Sequence, residues 1–276
     1  MVSKHDKLHL KKQLQYEVSY LYRRNNSRWK SAVVEMLRDL KKTTERAVFF
    51  GGTLRSLLIS RLFKQRHGRP RDIDIVVSGN SVDEVKRLFG DRISRTTRFG
   101  GLQLCHENWL FDVWPLENTW AFKADHVKHP NFSDLPMTTF FNLEAIAMDV
   151  WNEPGYQRQI YSADDQFFDG ILTRTIEINR EENPFPELCV VRALVMAAEL
   201  EFRLGPKLVS YVVKHGETLT PSDIEQVQIS HYGHQRFHSH LMKDWISFLA
   251  TEKSSDTEGT HRLPLAQQQR FWSYDR

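Results

Sequence analysis

The chain has 276 residues, 40% of them hydrophobic and 26% charged, with a formal net charge of +3. This balance excludes wholesale disorder and fibrous classes, and it is too mild to mark a nucleic-acid binder by charge alone. No apolar run approaches the ~20 residues that span a bilayer and residues 1–15 lack the apolar core of a secretory signal, so a cytoplasmic protein without membrane association is expected.

In chain order, residues 27–42 predict a helix, with Trp29, Val33, Met36, Leu37 and Leu40 on one face. AVFF (47–50) predicts a short buried strand that runs directly into Gly51-Gly52, and TLRSLLISRLFKQ (53–65) predicts a helix. RDIDIVV (71–77) alternates strictly, which places Asp72 and Asp74 on one face and Ile73, Ile75 and Val77 on the other. A helix over 82–89 follows, then antiparallel strands over 92–97, 101–106 and 109–114. The stretch 138–149 predicts a strand leading into a helix, and 157–161 with 172–178 a small two-stranded element. Helices are expected over 187–204, 206–214, 221–231 and 234–251, ahead of a polar tail from Glu252. Cys105 and Cys189 sit in apolar stretches and are expected to be buried thiols of a reducing compartment.

Three features carry chemistry. At Gly51-Gly52 the missing side chains let backbone N–H groups approach phosphate oxygens at a helix N-terminus. Thr53 adds a hydroxyl, and Arg55 a fork-shaped cation suited to a polyphosphate. Asp72 and Asp74 project side by side from one strand, a costly arrangement unless a cation neutralises it. Mg²⁺ or Mn²⁺ fits, as a hard ion that takes carboxylate and phosphate oxygens together. Asp112, on a later strand, points away from the local apolar face and supplies a third carboxylate. Such a set can hold two metals for in-line displacement at phosphorus.

FFGGTLRSLL…RDIDIVV resembles the head signature G-G-x-V-R-D-x-L-L…D-x-D-x-V of the tRNA nucleotidyltransferase and bacterial poly(A) polymerase family, within the DNA polymerase β-like nucleotidyltransferases. Segments 138–149, 166–178 and 182–207 resemble three further blocks of that family in the same order, so the resemblance covers roughly 47–212. It implies an α+β fold: a nucleotidyltransferase head with a mixed or antiparallel sheet and flanking helices, then a mostly helical neck-like domain. The chain accordingly divides into an N-terminal helical segment over 1–42, a head over 43–180, a neck-like domain over 181–251 and a mobile tail over 252–276.

The resemblance assigns Gly51, Gly52, Arg55 and Arg192 to the nucleotide, where the hydroxyl of Thr53 joins them, and Asp72, Asp74 and Asp112 to metal binding and catalysis. The implied reaction transfers NMP from an NTP to an acceptor hydroxyl and releases pyrophosphate. The acceptor would be an RNA 3′ end such as tRNA, or a protein or small-molecule hydroxyl. Arg66, Arg69 and Arg71, in the basic run before the acidic strand, are candidates for acceptor binding. The family's acid after the arginine is Ser56 here, its R-R-D is Thr138, Thr139 and Phe140, and its next Asn is Glu144. Those replacements suit an alternative, a catalytically degenerate nucleotide- or RNA-binding module. Trp114, Trp120 and Phe122 could offer faces on which bases stack, and are read first as core residues linking the two domains. His231, His234 and His238, on one face of an expected helix, could ligate zinc and are read first as surface histidines.

Overall fold

The computed structural model describes residues 3–21, 28–63, 72–79, 82–97, 100–107, 109–152, 156–256 and 258–264. The chain forms two compact units, Met1–Leu172 and Thr173–Arg276. Among the described residues no helix is long and apolar enough to cross a membrane.

The first unit contains α1 (Lys4–Leu21), α2 (Arg28–Leu40), β1 (Arg46–Phe50), α3 (Gly52–Phe63), β2 (Asp72–Ser78), α4 (Val82–Phe89), β3 (Ile93–Thr96), β4 (Leu102–His106), β5 (Trp109–Pro115), α5 (Trp120–Lys123), β6 (Ile146–Asp149), β7 (Ile160–Ser162) and α6 (Gln166–Thr173). Its strands form one sheet in the order β3-β4-β5-β2-β1-β6-β7. Neighbours are antiparallel except β2 and β5, which makes the sheet mixed.

Alternation along the strands gives the sheet two unlike faces. One carries Phe49, Ile73, Ile75, Phe111 and Val113, all buried. Helix α2 packs on β5, α3 on β1 and β2, and α4 on β4. The other face is divided along its length. Val48, Val76 and Ala147 are covered by Leu116, Phe132 and Leu135, with Phe50, Trp114, Phe122 and Tyr161 packed around them. Beyond that cover, in the first half of β2, Asp72 and Asp74 are only half-buried. Each fully buried Val, Leu, Ile or Phe contributes about 1.5–3 kcal/mol, so the apolar layers can carry an acidic row that opposes folding.

Several expectations are corrected. Segment 138–149 is not strand-then-helix: turns of 3-10 helix at Leu135–Thr138 and Asn142–Glu144 precede strand β6. An apolar run such as Ile146–Met148 has no periodicity that separates helix from strand, and β1 needs a second partner, which β6 supplies through Phe50↔Ala147. The strands near 160 and 175 do not pair with each other, because helix α6 intervenes and β7 pairs with β6. Cys105 is exposed whereas Cys189 is buried. In β4 the apolar positions are Leu102 and Leu104, so Cys105 falls on the opposite side.

The second unit contains β8 (Thr175–Ile176), α7 (Pro186–Leu200), β9 (Arg203–Leu204), α8 (Pro206–Gly216), α9 (Pro221–Tyr232) and α10 (Ser239–Ser255). Helix α7 stops short of the expected residue 204 because Glu201 adopts left-handed φ 54° and the next residues become β9, which pairs with β8. That pairing ties residues 175–176 to the helical unit. Helix α9 is followed by Gly233, φ 79°, so His231 lies in α9, His234 in the turn after it and His238 at the N-cap position of α10, and the three do not share one helix face. Where composition predicts a mobile tail from Glu252, α10 continues to Ser255 and His261 bridges Leu204; residues 265–276 lie outside the described residues.

Candidate active site

The site is built where β1 meets α3. The strand ends at Phe50, and Gly51 turns the chain at φ 53°, donating its N–H to the Ile146 carbonyl at 3.0 Å. The Arg55 N–H then closes the first helical turn on the Gly51 carbonyl at 3.1 Å. A side chain at Gly51 would be held in the left-handed region, so Gly51→Ala is expected to destabilise the fold by about 1–2 kcal/mol. Urea unfolding measures this, and an unchanged midpoint would contradict it.

Gly52 plays a different part. A Cβ there would lie 3.6 Å from Arg55 Nη2 and 3.7 Å from Asp74 Oδ2. The absent side chain therefore leaves a gap bordered by a guanidinium on one side and a carboxylate on the other.

The acidic row occupies adjacent parallel strands. Asp74 is opposite Asp112 in the β2–β5 register, and Asp72 is opposite Leu110. Neighbouring strands lie ~4.8 Å apart, and alternate residues along a strand ~6.6 Å, so all three carboxylates belong to one small patch of one face. Gln103, across from Asp112 in β4, donates from Nε2 to Asp112 Oδ1 at 2.9 Å. Among the described residues no three acidic, histidine or cysteine side chains gather closely enough to form a metal group. The pair on β2 nevertheless suits a hard divalent ion, because Mg²⁺ is commonly held by one or two carboxylates, waters and substrate phosphates rather than by an all-protein cage.

Two residues expected at the nucleotide are already engaged. Thr53 is 2% exposed, and its Oγ1 accepts the Asp74 backbone N–H at 2.9 Å. Its hydroxyl thus pins the start of α3 to the acidic strand, from the buried inner side of the helix. Arg55 Nη1 lies 2.7 Å from Glu144 Oε1, with side chains 18% and 12% exposed. Glu144 joins the candidate site through this pair, and its trace in the sequence is an acidic residue where the family resemblance has Asn. Arg192 lies on α7 in the second unit. Arg66, Arg69 and Arg71 lie outside the described residues.

Elsewhere on this face the Arg46 guanidinium donates to the Tyr161 hydroxyl at 3.0 Å, and that hydroxyl to Asp149 Oδ1 at 3.3 Å. Burial raises the pKa of both Asp149 and Tyr161. This network sits under the covered part of the face, away from the acidic row.

A cavity of about 290 Å³ opens beside the row. Asp74 and Asp112 form one side of it, and Gly101, Trp114, Asn118 and Trp120 contribute to the rest. The Trp114 indole is fixed by donation from Nε1 to Thr119 Oγ1 at 3.1 Å and by an edge contact with Phe50.

No family model matches the chain. A CCA-adding enzyme of Lactobacillus johnsonii is 23% identical over 205 residues, covering 72% of this chain and 48% of that enzyme. A CCA-adding enzyme of Lactobacillus gasseri matches at the same identity and coverage, so the chain spans about half the length of the curated relatives it matches. Among solved structures, a Thermotoga maritima CCA-adding enzyme complexed with tRNA matches with a TM-score of 0.55 at 16% identity, over 86% of this chain and 54% of that one. A tRNA nucleotidyltransferase complexed with a primer tRNA and an incoming ATP analogue gives 0.51 at 18% identity, over 77% and 58%. The resemblance read from the sequence is borne out, and with it the fold class: an α+β head followed by a helical part.

Proposed function

We propose that this protein transfers a nucleoside monophosphate from an NTP to the 3′ hydroxyl of an RNA such as tRNA. The observation that carries this reading is the acidic row Asp72, Asp74 and Asp112 set against the Gly52 gap and the Arg55 guanidinium. The relatives that act on or bind tRNA and ATP point the same way.

In the step, the acceptor oxygen bonds to the α-phosphorus, the bond from that phosphorus to the α–β bridging oxygen breaks, and pyrophosphate leaves. The hydroxyl proton passes to Asp112. Asp72 and Asp74 would hold Mg²⁺ or Mn²⁺, which supplies positive charge to phosphoryl oxygens when bound. The Gly51–Gly52 turn admits the phosphate chain to the start of α3, where backbone N–H groups and the helix dipole favour an anion. Arg66, Arg69 and Arg71, immediately before the acidic strand, offer cations to acceptor phosphates.

Glu144 tunes this site. It holds Arg55 as an anionic partner, so an incoming triphosphate competes with it for the guanidinium. Glu144→Gln is therefore expected to lower the KM for NTP several-fold, read by steady-state kinetics. A higher KM would instead make Glu144 the support that aims Arg55.

A second reading is a binding module without catalysis, favoured by Ser56, Thr138 and Thr139, which stand where the family resemblance has an acid and two arginines. Incubation with each α-labelled NTP, Mg²⁺ or Mn²⁺ and RNA separates the two. RNA lengthened by one or more labelled nucleotides supports the transferase. Nucleotide or RNA binding without lengthening under every condition supports the module.

A further inference from the structure

We infer that the cavity beside Asp112 seats the terminal nucleoside of the acceptor RNA, with Trp120 as a stacking platform for its base. The inference rests on the transferase reading above and adds where the acceptor sits and which residues receive it.

The order of the sheet carries the inference. Across β4-β5-β2-β1, the glycine turn that follows β1 lies on one side of the acidic strand β2, and the cavity formed by β4, β5 and residues 118–120 lies on the other. Gly52 faces Asp74 Oδ2 from the β1 side, whereas Asp112 and Asp74 form the edge of the cavity. In-line displacement requires the attacking and leaving oxygens on opposite sides of the phosphorus. With pyrophosphate departing toward the glycine turn and Arg55, the attacking hydroxyl enters from the cavity.

The cavity's chemistry selects the group attached to that hydroxyl. At about 290 Å³ it has room for a group the size of a nucleoside. Its lining includes Trp114 and Trp120, with Asn118 and Thr119 as hydrogen-bonding groups, and among the described residues it includes no Lys or Arg. That combination offers a π-face and polar edges to an uncharged base. The wall is closely fitted: a Cβ on Gly101 would lie 3.1 Å from Trp114 Cβ and 3.0 Å from Thr97 Oγ1. Trp120 rests against His126, ring centroids 4.9 Å apart, and is itself half-buried, so one part of the indole remains at the surface.

The test uses the full chain and a short RNA whose 3′-terminal base is 2-aminopurine, a fluorophore quenched by stacking. It compares wild type, Trp120→Ala and Trp120→Phe. Titration without NTP is expected to quench the wild-type complex. Trp120→Ala should weaken RNA binding and raise the KM for RNA by about tenfold or more. The KM for NTP should stay within about twofold, and Trp120→Phe should recover most of the loss. A rise in the KM for NTP with the RNA terms unmoved would place the incoming base in the cavity and overturn the inference. So would a Trp120→Phe variant as weak as Trp120→Ala, which would assign the residue to folding. If wild type transfers no nucleotide, the transferase reading fails, and the titration still decides this one. Quenching lost in Trp120→Ala upholds the pocket, and its absence in wild type removes it.

Discussion

Asp74→Asn is expected to lower nucleotidyl transfer by about 10²–10³-fold, the scale seen when one preorganised electrostatic group is removed from an active site. The side chain stands at the centre of the site, opposite Asp112, beside the Gly52 gap and two residues from Asp72. Its carboxylate supplies charge that an amide does not, so both the hold on a divalent ion and the alignment of phosphoryl oxygens are lost. The fold should persist. The bond that ties this point of β2 to α3 runs from the Asp74 backbone N–H to Thr53, and the substitution leaves it in place. Asn also removes one of two facing negative charges, so the melting temperature should hold or rise. Single-turnover extension of RNA together with thermal unfolding reads both effects. Activity within about tenfold of wild type, on a folded protein, would remove Asp74 from the chemistry.

Gly52→Ala is expected to cut kcat/KM for NTP by about a hundredfold, the cost of a displacement near 1 Å at a reacting centre. The folded chain accepts the methyl group, because contacts of 3.6 and 3.7 Å are ordinary van der Waals distances. Alanine at the first residue of α3 also reduces the freedom of the unfolded chain, so stability should be unchanged or slightly greater. The added carbon nevertheless stands between Arg55 and Asp74, where the phosphate chain would pass. The two neighbouring glycines thus carry opposite signatures. Gly51→Ala weakens the fold through strain, and Gly52→Ala leaves the fold and blocks the site. Full activity in Gly52→Ala would show that phosphate does not run through this gap.

The local elements that make the site were legible because each rests on short-range pattern. Strict alternation over residues 71–77 fixed Asp72 and Asp74 on one face, and the strand-glycine-helix sequence fixed the turn at Gly51. Pairing across the sheet was less accessible. That β2 and β5 run parallel, which sets Asp74 against Asp112, depends on a crossover through α4, β3 and β4 that no local spacing records. Segment 138–149 was misread for a related reason: its apolar run is buried on both faces and loses the alternation that marks a strand. Thr53 and Glu144 show a further limit. Their residue types suit a ligand site, but burial turned one hydroxyl toward β2, and the approach of residue 144 to Gly51 gave Arg55 a partner from a distant segment. The cavity combines β4, β5 and the turn after it, so the closeness of Trp114 and Trp120 was legible in the sequence while the cavity they line was not.

The most direct measurement follows pyrophosphate and RNA length in one reaction, with purified full chain, a single NTP, a divalent ion and an RNA bearing a free 3′ hydroxyl. One pyrophosphate should appear for each nucleotide added, and both signals should vanish in Asp72→Asn and Asp74→Asn and with 3′-deoxy RNA. Pyrophosphate release or RNA extension that survives loss of both carboxylates would contradict the account, as would a folded wild-type protein that extends no RNA with any NTP.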